Sequence, residues 1–168
     1  MAQIVLGAGC FWGSEAYYEQ LIGVESTEVG YAQGQTDNPT YQQVCTQTTG
    51  YAEVVKVIYD EHRISLGAIL DHYFRIIDPT SLNRQGNDRG SQYRTGIYYT
   101  NPADRIIIEQ EITRQQESYS QPIVVEVEKL DRYYPAEQYH QEYLKKNPGG
   151  YCHIDLNLAS PAEKKDGY

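Results

Sequence analysis

Cysteine is scarce in this chain, with only Cys10, Cys45 and Cys152 among 168 residues. So few thiols make no disulfide framework at this length, and they suit a reducing compartment that keeps thiols for packing or reactivity. Four histidines (His62, His72, His140 and His153) stand apart, without the paired C-x-x-C or H-x-x-x-H spacing of a structural zinc site, so no metal is expected. Methionine occurs once, at Met1, against 17 tyrosines. That bias is either compositional drift or suited to a protein working among oxidants, because methionine oxidises readily. Positive charge is thin as well, 14 Lys and Arg against 23 Asp and Glu, for a net charge of -9. A non-specific nucleic-acid binder would need a basic stripe, and none is present. No stretch approaches the roughly 20 apolar residues of a membrane helix. The opening "MAQIVLGAGC" has neither the basic region nor the long apolar run of a signal peptide, so a cytoplasmic location away from membranes is expected.

The residues that are present, 40% of them apolar, are enough for a substantial core, and one domain over 1–168 is expected. "QIVLGA" reads as a buried strand and "SEAYYEQLIG" as a short helix closed by Gly23. "VESTEVGYA" is a second strand, "QGQTDNPTYQQVCTQTTG" a polar loop, and "AEVVKVIYD" the clearest alternating strand. "SLGAILDHYFRII" has helical periodicity, and "SQYRTGIYYT" follows the glycine-rich "NRQGNDRGSQY" as a strand. "NPADRIIIEQEITRQQESY" carries helix-start signals at Asn101, Pro102 and Asp104; "PIVVEVEKL" reads as a strand, and "PAEQYHQEYLKKNPGG" as a last helix. This order predicts an α+β fold, a two-layer sandwich on a split βαβ (ferredoxin-like) mixed-sheet core, with an irregular C-terminal tail over 147–168.

In "GAGCFWGSEA", Cys10 stands at a strand-to-helix turn, where unpaired N–H groups and the helix dipole favour a thiolate. A nucleophile is one reading; a small buried core residue is the other. Phe11 and Trp12 fit walls of an apolar pocket. Gly7-x-Gly9-x-x-x-Gly13 with Glu28 further on has some likeness to a dinucleotide loop, but Cys-Phe-Trp puts bulk where a pyrophosphate must approach. Strand alternation places Glu53 on one face with Val55, Val57 and Tyr59. There it is either a solvated strand-end group or a buried acid whose raised pKa suits proton donation. Tyr41, Asp88 and Tyr93 lie on loops, where functional residues concentrate. Cys152, in "PGGYCH", is either an inert surface thiol or a mobile one able to resolve an oxidised partner.

The ordered series "GCFWG", "VGYA", "NPTYQQVC", "TGYAEVVKVIYD", "DPTSLNRQGNDRGSQYRTGIYY" and "PAEQYHQEYLKKNPGGYC" closely resembles the peptide methionine sulfoxide reductase A family over nearly the whole chain. The resemblance implies a thiol-dependent oxidoreductase that reduces the S epimer of methionine sulfoxide, free or in proteins, and so repairs oxidative damage. It implies Cys10 as nucleophile, left as a sulfenic acid, and Glu53 as the acid that protonates the departing oxygen. Tyr41 and Tyr93 would hydrogen-bond that oxygen, Asp88 would help organise the site, and Phe11 and Trp12 would receive the ε-methyl group. Cys152 would condense with Cys10 to a redox-active disulfide that thioredoxin reduces, with no bound cofactor. A monomer is expected. Tyr51, where many members carry histidine, is expected outside the chemistry, and Cys45 is read as structural. A binding module that holds methionine sulfoxide peptides without turnover would need neither second cysteine nor buried acid. A cysteine hydrolase would want a histidine base, and none of the four lies in an evident motif.

Overall fold

The computed structural model describes residues 1–168. Its central sheet is built from β1 (Ala2–Gly7), β2 (Val24–Ala32), β3 (Ala52–Tyr59), β6 (Gly96–Tyr99), β7 (Glu126–Lys129) and β8 (Tyr133–Pro135) in the order β7-β6-β1-β3-β2-β8. Every pairing is antiparallel except that of β6 with β7. The inner four strands, β6-β1-β3-β2, form the expected split βαβ arrangement, with β3 inserted between the parallel β1 and β2. A separate two-residue hairpin pairs β4 (Arg84–Gln85) with β5 (Asp88–Arg89).

Strand alternation sorts the core. Ile4, Leu6, Val29, Tyr31, Val55, Val57 and Ile97 face the main cluster, joined there by residues of α1 (Phe11–Glu19) and α3 (Leu66–Ile76). The opposite face carries a small cluster of Val5, Ala32, Ala52, Val54 and Tyr98. Tyr18 on α1 donates to the Ile69 carbonyl on α3 at 2.9 Å, and Tyr73 on α3 donates to the Gly7 carbonyl at 2.6 Å. Buried phenols thus join the helical layer to the end of β1. No helix is long and apolar enough to cross a membrane.

Several elements differ from the sequence reading. The polar loop contains a short helix, α2 (Tyr41–Cys45), because Thr40 and Gln43 close a capping box. The next long helix, α4 (Asp104–Gln116), begins at Asp104 rather than Pro102, with Asn101 accepting from the N–H of Ala103 in the turn before it. The last helix expected over "PAEQYHQEYLKKNPGG" does not form. Instead, β8 pairs with β2, a 3-10 turn covers Gln138–His140, and α5 (Tyr143–Lys146) has a single turn. Glu142 has a left-handed φ of 52°, and its N–H donates to the buried Glu15 carboxylate at 2.6 Å. The tail is irregular, as expected, and is tied down: the Gln20 amide donates to the Leu156 carbonyl, and Arg75 forms an ion pair with Glu163 at 2.9 Å.

Candidate active site

Cys10 and Glu53 meet where β1 ends and β3 begins. The turn Ala8–Gly9 delivers Cys10 as the N-cap of α1, and Gly9 makes this possible with φ +80°. A Cβ at Gly9 would also lie 2.9 Å from His153 Nε2. Glu53, only 1% exposed, accepts from the Phe11 N–H through Oε1 at 3.2 Å, while its buried Oε2 has no partner. Burial pushes this carboxyl up to about 8 from an ordinary 4.5; the Phe11 N–H pulls it down and Asp88 adds to the rise. That rise favours the protonated carboxyl at neutral pH, on the face Glu53 shares with Val55, Val57 and Tyr59.

Burial works against the thiolate that the helix end favours. Cys10 is 8% exposed, and burial pushes its thiol well above the usual range. The Glu53 charge and, more weakly, Asp88 act in the same direction, while the N–H groups of Trp12 and Gly13 oppose them. Desolvation outweighs the helix end, so the resting sulfur is a thiol. Protonated Glu53 removes its own repulsion from Cys10, so the acid that stores the proton also permits the thiolate.

Phe11 and Trp12, next to Cys10 in the chain, pack into an aromatic cluster at the head of α1. Phe11 is fully buried, 5.7 Å from the Tyr31 ring and 5.1 Å from His140. Trp12 stacks on Tyr143 at 3.8 Å, and its Nε1–H donates to His140 Nδ1 at 3.0 Å. Tyr41 opens α2 with its ring 4.5 Å from His140, and its N–H donates to Glu137 Oε2 at 3.0 Å. Burial pushes the Tyr41 phenol well up, with Glu53, Tyr93 and Cys45 adding to it. Burial does the same at Tyr93, where Glu53, Asp88 and Cys10 contribute. Both phenols remain O–H donors. A neutral acid, two phenols and an apolar wall around one thiol can hold a small polar oxygen on an apolar group and protonate it.

Asp88, on β5, accepts from the Tyr151 hydroxyl at 3.2 Å and lies 4.0 Å from His153 Nδ1. Cys152 is half-buried, its thiol donates to the Ile154 carbonyl at 3.1 Å, and a Cβ on Gly13 would stand 3.2 Å from its sulfur. Gly13 lies in the first turn of α1, three residues beyond Cys10, so the tail lays its cysteine over the helix start that Cys10 caps. All three cysteines are free. The structure thus gathers Cys10, Phe11, Trp12, Tyr41, Glu53, Asp88, Tyr93 and Cys152 into one region. A cavity of about 390 Å3 lined by Ala2, Gln3, Glu61 and Asp104 lies at the other end of β1 and contains none of them.

Sequence reasoning missed the frame that holds these groups. Glu137 takes the Tyr31 hydroxyl at 2.8 Å as well as the Tyr41 N–H. Burial alone would raise the Glu137 carboxyl, yet these donors hold it below its ordinary value. His140, Tyr143 and Glu15 complete the support behind Trp12. The motif "PAEQYHQEYL" was the available signal, but reading it as a helix concealed which side chains turn inward.

Comparison with known proteins agrees with this geometry. A family model described as peptide methionine sulfoxide reductase matches residues 2–167. A Clostridium perfringens protein named peptide methionine sulfoxide reductase MsrA is 59% identical over 157 residues, covering 94% of this chain and 100% of that one. Among solved structures, Mxr1 from Saccharomyces cerevisiae in reduced form superposes with a TM-score of 0.85 at 37% identity, over 92% of this chain and 91% of that one. Mxr1 in complex with Trx2 aligns with a TM-score of 0.59 at 25% identity, over 84% and 83% of the two chains. With thiol, neutral acid and sheet order all in agreement, the chain belongs to the peptide methionine sulfoxide reductase family.

Proposed function

We propose that Cys10, Glu53 and Cys152 carry the chemistry of this oxidoreductase, a peptide-methionine (S)-S-oxide reductase. The observation that carries the reading is the buried Glu53 carboxyl, tied to the N–H of the residue next to Cys10 and pushed up by that burial. The substrate's methyl group rests against Phe11 and Trp12, with its oxygen toward Glu53, Tyr41 and Tyr93. Only one epimer then presents its sulfur to Cys10. Glu53 gives its proton to the sulfoxide oxygen as Cys10 sulfur attacks the sulfoxide sulfur, and the thiol proton passes to the emptied Glu53 carboxylate, which ends protonated again. Methionine leaves with its sulfur reduced, and Cys10 keeps the oxygen as a sulfenic acid. Asp88 helps organise this end of the site.

Cys152 then attacks Cys10 sulfur, forming a disulfide and releasing water. Its place against Gly13 supports this role. Thioredoxin is the external reductant in this reading, supported by the solved complex of Mxr1 with Trx2, and no bound cofactor takes part. The chain acts as a single-domain monomer in the cytoplasm, on free or protein-bound methionine sulfoxide, without nucleic acid or membrane partners. A binding module without turnover would need neither the neutral acid nor a second thiol beside the first.

Thioredoxin-coupled turnover of methyl p-tolyl sulfoxide tests the reading. Cys10→Ser is expected to abolish reduction while keeping the fold by circular dichroism. Near-parental turnover in that variant would refute the mechanism.

A further inference from the structure

His153 lies beside Cys152 and has no role in the chemistry described so far. Its side chain is 6% exposed. Nε2 is 3.1 Å from the Ala8 carbonyl. A carbonyl can only accept, so Nε2 carries the proton and Nδ1 presents a lone pair. That Nδ1 is buried without a hydrogen-bond partner. It faces the place where a Gly13 Cβ would stand, 3.4 Å from that point, with Cys152 sulfur 3.2 Å from the same point. The unpartnered base and the second thiol therefore converge on one spot over the first turn of α1.

We propose that His153 is the proton acceptor for the second half of the reaction, taking the Cys152 thiol proton as that sulfur attacks the Cys10 sulfenic acid. This rests on the reading of Cys152 as the resolving thiol. The Cys152 S–H bond breaks and its proton goes to His153 Nδ1; the S–S bond forms as the S–O bond of Cys10 breaks. The departing oxygen takes the proton back from His153 and leaves as water. Cys152 sulfur is oxidised, Cys10 sulfur is reduced, and the imidazole ends neutral.

The surroundings suit the cycle. Burial lowers His153 from its ordinary 6.5, with the Ala8 carbonyl and Asp88 opposing, so the ring is neutral and able to accept at neutral pH. Burial raises the Cys152 thiol, so it rarely ionises unaided at that pH. Asp88 stands 4.0 Å from Nδ1: its carboxylate has no proton to offer the lone pair of the neutral ring, but it is placed to stabilise the imidazolium once Nδ1 is protonated. The other titratable groups on the packed elements are Tyr151, stacked at 6.4 Å, with Cys10 at the head of α1 and Glu53 coupled to Cys10 and Asp88. The Nε2–H bond to Ala8 fixes the ring and ties the tail to the turn that carries Cys10.

His153→Gln separates base from tether, since its amide N–H can still reach the Ala8 carbonyl while the basic nitrogen is lost. Full-length enzyme is mixed with excess methyl p-tolyl sulfoxide without reductant. Sulfide release is followed by rapid quench, and disulfide formation by the loss of dimedone-reactive Cys10. The variant is expected to release one equivalent of sulfide at the parental rate. Its disulfide should form roughly 100-fold more slowly at pH 7, the usual scale for a lost general base. The parental disulfide rate should be flat from pH 7 to 8, whereas the variant's should climb about tenfold per unit as the thiol ionises. Parental speed in His153→Gln, slowing with an unchanged flat profile, or a parental rate that climbs like a bare thiol would each overturn the assignment. Disulfide formation persisting in Cys152→Ser would overturn the resolving-thiol reading and this assignment with it. Its loss there, beside an unaffected His153→Gln, overturns the role of His153 alone.

Discussion

Glu53→Gln should make the enzyme slower and more stable at once. The folded carboxyl is pushed up to about 8 by burial, against an ordinary 4.5, so it binds its proton more tightly folded than unfolded. Between those values folding takes up a proton, and stability falls as pH rises. At pH 7 the folded group is mostly neutral and the unfolded one ionised, a destabilisation of about 3 kcal/mol from a shift of this size. Glutamine has no such cost, and its oxygen can still accept from the Phe11 N–H. Its amide puts two donors where the neutral acid has one O–H at Oε2, and the extra unpartnered donor takes back about 1–3 kcal/mol. For a chain of this length each kcal/mol moves Tm by roughly 2–4 °C, so the relieved ionisation cost alone is worth roughly 6–12 °C at pH 7, less what the extra donor takes back.

The pH dependence is the sharper measure. Glu15 is also pushed up, to about 7, by burial, but it is common to both proteins and cancels in the difference. Scanning calorimetry of parent and variant should give a Tm difference that moves in the variant's favour from pH 4 to pH 8, the cost of the extra donor being the same at every pH. A constant or absent gap would refute the buried, protonated carboxyl. Methionine formation in the first turnover should meanwhile slow roughly 100-fold, the usual scale for a general acid. An unchanged first-turnover rate would move the acid to Tyr41 or Tyr93.

Cys152→Ser should still release about one equivalent of methionine, then lose thioredoxin-dependent turnover and become labelled by dimedone at Cys10; full turnover would shift the resolving role to Cys45. Iodoacetamide at neutral pH should label Cys45 before Cys10, because Cys10 is 8% exposed and its thiol is pushed up well above the usual range by burial. Mass spectrometry of partly labelled protein checks the order, and faster labelling of Cys10 would refute the resting thiol. Glu15→Ala removes the acceptor for the Glu142 N–H and the Thr27 hydroxyl and should cost about 1–3 kcal/mol. It should also shift the fluorescence of Trp12, the only tryptophan, as the segment carrying His140 and Tyr143 loosens; unchanged Tm and emission would count against that support.

Local pattern placed the two central side chains in the sequence, while the role of each came from the family resemblance. Alternation along β3 assigns Glu53 to the face of Val55 and Val57, and the strand–glycine–helix transition puts Cys10 at the head of α1. Both follow from periodicities of a few residues, which the sequence alone determines. Burial and long-range pairing are different, because they depend on what the rest of the chain brings alongside. The Cys10 thiol is raised rather than lowered because the packed core desolvates it, overriding a helix end that is visible in the sequence. The segment after Tyr133 gives up helical periodicity because β2 offers its edge to β8 and Glu15 captures the Glu142 N–H, partners more than 100 residues away. Tertiary structure alone sets Cys152 and His153 over Gly13, since contacts between distant parts of the chain leave no local period to read.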